Sequence, residues 1–148
     1  MKRTFALGAA AVLAAGGGLL ATSTTASAAE AKATYGGQCG TGYSVVNQAG
    51  IGDEGTVFLT YNSATGKNCV VTIRNTTDEP VEMTAYVRAL TDEPSERVVD
   101  EGEYTQYAGP VYVDGAGYCV EWGGQIDEAT YDNPSSNCGS KAAKANTP

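Results

Sequence analysis

Along most of the chain, apolar and polar residues alternate with a period of two. In GTVFLTY, Val57, Leu59 and Tyr61 fall on one side and Thr56, Phe58 and Thr60 on the other. In CVVTI, Cys69, Val71 and Ile73 fall together. In VEMTAYVRAL, Val81, Met83, Ala85, Val87 and Ala89 oppose Glu82, Thr84, Tyr86, Arg88 and Leu90. Successive side chains of a strand point to opposite faces, so this period predicts half-buried β-strands. Turn-forming clusters divide them: Asn62-Ser63-Ala64-Thr65-Gly66, Thr77-Asp78-Glu79-Pro80, Asp92-Glu93-Pro94-Ser95 and Asp114-Gly115. The pattern places about seven or eight strands, near 43–48, 55–61, 68–75, 81–90, 96–101, 104–107, 110–113 and 118–122. Gly109-Pro110 reads as a corner where the chain ends one strand and starts another in the other sheet. No helical stripe of any length interrupts the series. Short strands with frequent turns predict an all-β fold, an antiparallel β-sandwich or barrel.

The first residues break the pattern. Lys2 and Arg3 precede an apolar run from Phe5 to about Leu20, and Ala26-Ser27-Ala28 supplies small residues for cleavage. This is the layout of a secretory signal peptide over residues 1–28. Residues 29–34 read as a loose leader, 35–138 as a single domain, and 139–148 as a small, polar, disordered tail. The exported part holds all four cysteines, Cys39, Cys69, Cys119 and Cys138. Thiols oxidise outside the cell, so two disulfides are expected. Three pairings are possible. Cys39–Cys69 and Cys119–Cys138 suit a meander of strands, because each joins near neighbours.

Charge and composition narrow the function. Of nine basic residues, Lys2 and Arg3 leave with the signal, so seven face 17 acids, a net of −10. Such a chain repels nucleic acid and anionic lipid, and neither is expected as a partner. The sequence contains no histidine. Ser-His-Asp and Cys-His catalysis as usually built are thereby removed, with histidine-ligated metals. No cofactor or metal is expected. Carboxylate chemistry of the glycosidase kind survives in principle, but most acids lie in turns such as 77–80 and 91–94. Asp53-Glu54, Asp100-Glu101 with Glu103, and Asp132-Asn133 offer oxygen donors for calcium, without the spacing of a calcium loop. The expectation is a protein that is not an enzyme.

The stretch from Gln106 to Ile126 concentrates the aromatic residues. Trp122, beside Cys119 in YCVEW, reads first as core. The functional alternative is a stacking platform for sugar built from Trp122 with Tyr104, Tyr107 and Tyr112. Gly123-Gly124 reads as a bulge, or as a place where a ligand comes close.

The blocks YGGQCGTGY (35–43), GTVFLTYNSATGKNCVVTI (55–73), YAGPVY (107–112) and YCVEWGGQI (118–126), closed by Asn137-Cys138, resemble spore-associated protein A. This is a family of small secreted proteins of spore-forming, filamentous actinobacteria. The resemblance spans about residues 35–138. It implies an exported protein found with the spore or aerial-growth surface, and it carries over no catalytic residue. The segment from Asp78 to Glu103 departs from the resemblance, being acidic where a Ser/Thr-rich pattern is expected. The leading expectation is therefore a secreted, non-enzymatic protein of the spore or cell surface, with surface components as partners. The alternatives are a polysaccharide- or peptidoglycan-binding module using Trp122 and the tyrosines, and a proteinase inhibitor presenting a loop near Gly66-Lys67 or Gln106-Tyr107.

Overall fold

The computed structural model describes residues 32–139. The expected signal peptide and most of the expected polar tail lie outside the described residues. Within them are eight strands: β1 (Ser44–Ile51), β2 (Gly55–Asn62), β3 (Lys67–Arg74), β4 (Val81–Leu90), β5 (Val98–Tyr104), β6 (Tyr107–Asp114), β7 (Cys119–Ile126) and β8 (Ala129–Ser136). All neighbours pair antiparallel. They form two four-stranded sheets, ordered β1-β2-β3-β6 and β5-β4-β7-β8. We call these sheet A and sheet B. The chain crosses between sheets after β3, β5 and β6, so β3–β6 pairing in one sheet interlocks with β4–β7 pairing in the other. This is the expected antiparallel sandwich.

The alternation places the core as expected. Val57, Leu59 and Val70 of sheet A meet Met83, Ala85, Val87, Val120, Trp122 and Ile126 of sheet B, all fully buried. Sheet A also carries a second apolar layer on its outer face, where Phe58, Cys69, Val71 and Ile73 lie under Ala33, Tyr35, Cys39 and Tyr43. The segment before β1 therefore lies over this sheet. Ala33, within the expected loose leader, donates its N–H to the Asn75 side chain at 2.7 Å. With both faces covered, β2 and β3 are buried almost end to end. Sheet B carries its apolar core on its inner face and has no second apolar layer outside.

The two disulfides pair as expected, Cys39–Cys69 and Cys119–Cys138. The first ties the covering segment to β3. The second ties the chain just beyond β8 to the start of β7.

Three strand assignments need correction. The expected strands at 104–107 and 110–113 do not exist as such: Tyr104 ends β5, and β6 runs unbroken from Tyr107 to Asp114. Gly109-Pro110 is no corner between sheets. It is a bulge within β6, the two residues together opposing Val71, with a cis peptide between them. The sheet change falls instead at Thr105-Gln106. Finally, β8 has no counterpart in the sequence reading. Pro134 and Ser135 form its bulge opposite Glu121. β6 and β8 are edge strands, where a proline costs no ladder bond.

Candidate functional site

Trp122 alternates onto the inner face of β7 and has no exposed surface. Its indole N–H donates to Ser136 Oγ at 2.8 Å, which satisfies the one polar atom of the ring. The ring packs at 5.3 Å from that of Tyr131. Trp122 thus belongs to the packed centre and offers no face to a sugar. The following glycines are ordinary interior residues of β7. The bulge sits one step earlier, between Val120 and Trp122. The close approach at both glycines comes from the protein itself. A Cβ on Gly123 would collide with the Tyr86 hydroxyl and the Tyr131 carbonyl, and one on Gly124 with the Thr72 hydroxyl.

On the outer face of sheet B, the ring of Tyr86 lies across Gly123 and donates its hydroxyl to Asp132 of β8. The Arg97 guanidinium stacks over that ring, 4.0 Å from its centre. Arg97 also bonds Glu121, which is buried and holds Arg88 through its second oxygen. A buried carboxylate needs such partners. Five side chains from β4, β7, β8 and the β4–β5 loop are fastened together in this way. Burial, then the bond to Asp132, pushes the Tyr86 hydroxyl far above the ordinary tyrosine range. The reading of the sequence missed this network. Its signal is the placing of Tyr86, Arg88 and Glu121 on the polar side of their strands, where bulky or charged groups must find each other.

The remaining predicted tyrosines separate. Tyr112 lies on the outer face of sheet A, edge-on to Tyr43 at 5.7 Å, and donates its hydroxyl to the Cys39 carbonyl at 3.1 Å. Tyr104 and Tyr107 flank the turn between β5 and β6. Together with Asp100, Thr105, Gln106 and Gly109 they line an open pocket of about 440 Å³. Its geometry is built from the backbone outward. Arg74, buried at the end of β3, donates its main-chain N–H to the Gln106 carbonyl at 2.9 Å and its guanidinium to the Thr105 carbonyl at 3.2 Å. The same guanidinium holds the Glu79 carbonyl at 2.8 Å. Asp100 accepts the Gly109 N–H at 2.6 Å on one oxygen and the Tyr104 hydroxyl at 2.8 Å on the other. That bond is the first cause of the raised Tyr104 ionisation. Tyr107 is 38% exposed.

Of the acids weighed as oxygen donors for calcium, Asp100 is engaged by Tyr104 and Gly109, and Asp132 by Tyr86. Among the described residues, no three metal-type side chains converge. Of the two loops considered for proteinase inhibition, Lys67 already pairs in β3 and the Gln106 carbonyl is tied to Arg74.

No family model matches the chain, and no solved structure matches it. Spore-associated protein A of Streptomyces coelicolor is 59% identical to it over 120 residues, which cover 81% of this chain and 77% of that protein. Similarity of that depth across most of both chains agrees with the blocks at 35–43, 55–73, 107–112 and 118–126. The chain belongs to the spore-associated protein A family.

Proposed function

We propose that this chain is a secreted, non-enzymatic protein that lodges on the spore or cell surface. The observation that carries the reading is its identity of 59% with a protein named for its association with spores. Two features of the molecule support it. Both disulfides are closed, which suits an oxidising exterior. Asp100, Glu121 and Asp132 accept hydrogen bonds within the scaffold, and Asp114 pairs with Lys67, so each of these acids has a structural partner. A rigid sandwich held by such bonds suits a coat or surface component better than a machine that must move.

Fractionation of a sporulating culture tests the proposal. The protein should remain with spores through repeated washing and be absent from the cytoplasm. Recovery only from the free medium would contradict it.

A further inference from the structure

We infer that the pocket at the β5–β6 turn is a binding subsite for an uncharged hexopyranose chain, with the rings of Tyr104 and Tyr107 against the sugar faces and Asp100 and Gln106 toward its hydroxyls. Sugar rings present apolar C–H faces and a rim of hydroxyl groups. A site for them needs exposed aromatic surface beside fixed acceptors and donors. This pocket has both, the exposed ring of Tyr107 and the half-buried ring of Tyr104 beside Asp100, and its volume of about 440 Å³ falls among small-ligand sites, which run from about 300 to 1,000 Å³.

Three observations mark the pocket as preorganised. The Tyr104 ring is set on two sides: its hydroxyl is bonded to Asp100, and a Cβ on Gly102 would lie only 3.1 Å from that hydroxyl. Asp100 is fixed in turn by the Gly109 amide, and both its oxygens retain lone pairs for further donors. The turn that carries Thr105 and Gln106 is anchored from beneath by Arg74. A first shell held by a second shell binds without the cost of ordering.

Charge selects among glycans. The segments that build sheet B and its loops, 78–104 and 118–136, carry thirteen acids against Arg88 and Arg97. Both arginines are occupied by Glu121. The rest of the described chain is balanced, with Asp53, Glu54 and Asp114 against Lys32, Lys67 and Arg74. The pocket lies at the border of the acidic half, and its lining contains no cation. Anionic polymers such as teichoic acids are therefore repelled. The inference rests on the proposed surface association only for where such a glycan is met.

Calorimetric titration of the oxidised protein with cellohexaose and with N-acetylchitohexaose tests it. At least one should bind saturably. Tyr107→Ala should weaken that binding by about tenfold, the worth of one aromatic contact. Tyr107→Phe should keep it within about threefold. Tyr107 is exposed, and an unchanged near-ultraviolet circular dichroism spectrum confirms the fold of each variant. Absence of saturable binding of both sugars up to about 10 mM overturns the inference, as does a Tyr107→Ala variant that binds like the parent. Spore retention of the same proteins separates the two claims: a parent that stays on spores without binding either sugar overturns the subsite and leaves surface association standing.

Discussion

Trp122 illustrates what a residue-scale argument from sequence can deliver. Alternation set Trp122 on one face with Val120 and favoured the core over a sugar platform, and its complete burial decides for the core. Truncating it would empty a fully enclosed site and orphan Ser136. We expect Trp122→Ala to lower stability by about 3–5 kcal/mol in urea unfolding. The native indole should emit at short wavelength and resist a dissolved quencher; emission like that of free tryptophan would contradict its burial. Tyr86 makes a prediction about pH. Its hydroxyl keeps its proton in the folded protein far above the ordinary range, whereas in the unfolded chain it ionises near about pH 10. The folded state thus binds more protons, so this contribution to stability is complete below about pH 10 and is lost as pH rises further. Tyr104 and Tyr112 shift in the same direction. Stability measured from about pH 8 to 11 should therefore decline at the alkaline end, and less steeply in Tyr86→Phe. Equal slopes for parent and variant would refute that assignment. The Tyr86 network could not be read from sequence, because it joins strands whose pairing is set by tertiary packing; the Tyr104–Asp100 bond lies within β5, where alternation puts both residues on one face without showing that they meet.

At the scale of elements, strands without proline were legible, the edge strands β1 and β5 among them, and the two edge strands that contain proline were not. β4 was read to its ends because four buried residues, Met83, Ala85, Val87 and Ala89, alternate along it. β6 and β8 were broken or missed because Pro110 and Pro134 look like turn residues, and at an edge the ladder tolerates them. The outer layer on sheet A was hidden for a different reason. Cys69, Val71 and Ile73 were seen to share a face, but alternation cannot say that a preceding segment covers it. That cover is fastened by Cys39–Cys69. Replacing both cysteines with serine should cost about 3–4 kcal/mol. Amide exchange should accelerate over residues 33–43 and in β2 and β3, whereas β4 and β7 keep their slow amides. Uniform acceleration in both sheets would show that the bridge stabilises the molecule as a whole and holds no separate cover.

The whole molecule has two unlike halves. Sheet A is covered, nearly neutral and tied to its leader segment. Sheet B has no covering segment on its outer side, is strongly acidic, and is braced there by one buried carboxylate between two arginines. Composition gave the total charge, but its segregation required the strand order, since β4–β5 and β7–β8 are distant in sequence and adjacent in the sheet. The same strand order brings Tyr104 and Tyr107 to one corner, sends Tyr112 to the outer face of sheet A, and closes Trp122 inside. The account holds that attachment to the spore is a property of this folded, cross-linked surface. Rebinding measures it most directly: purified oxidised protein is added at increasing concentration to washed spores, and the bound fraction is quantified. We predict saturable, wash-resistant binding that disappears once Cys39–Cys69 and Cys119–Cys138 are reduced and alkylated in denaturant. Binding that never saturates, or that the reduced and alkylated chain retains in full, would contradict the account.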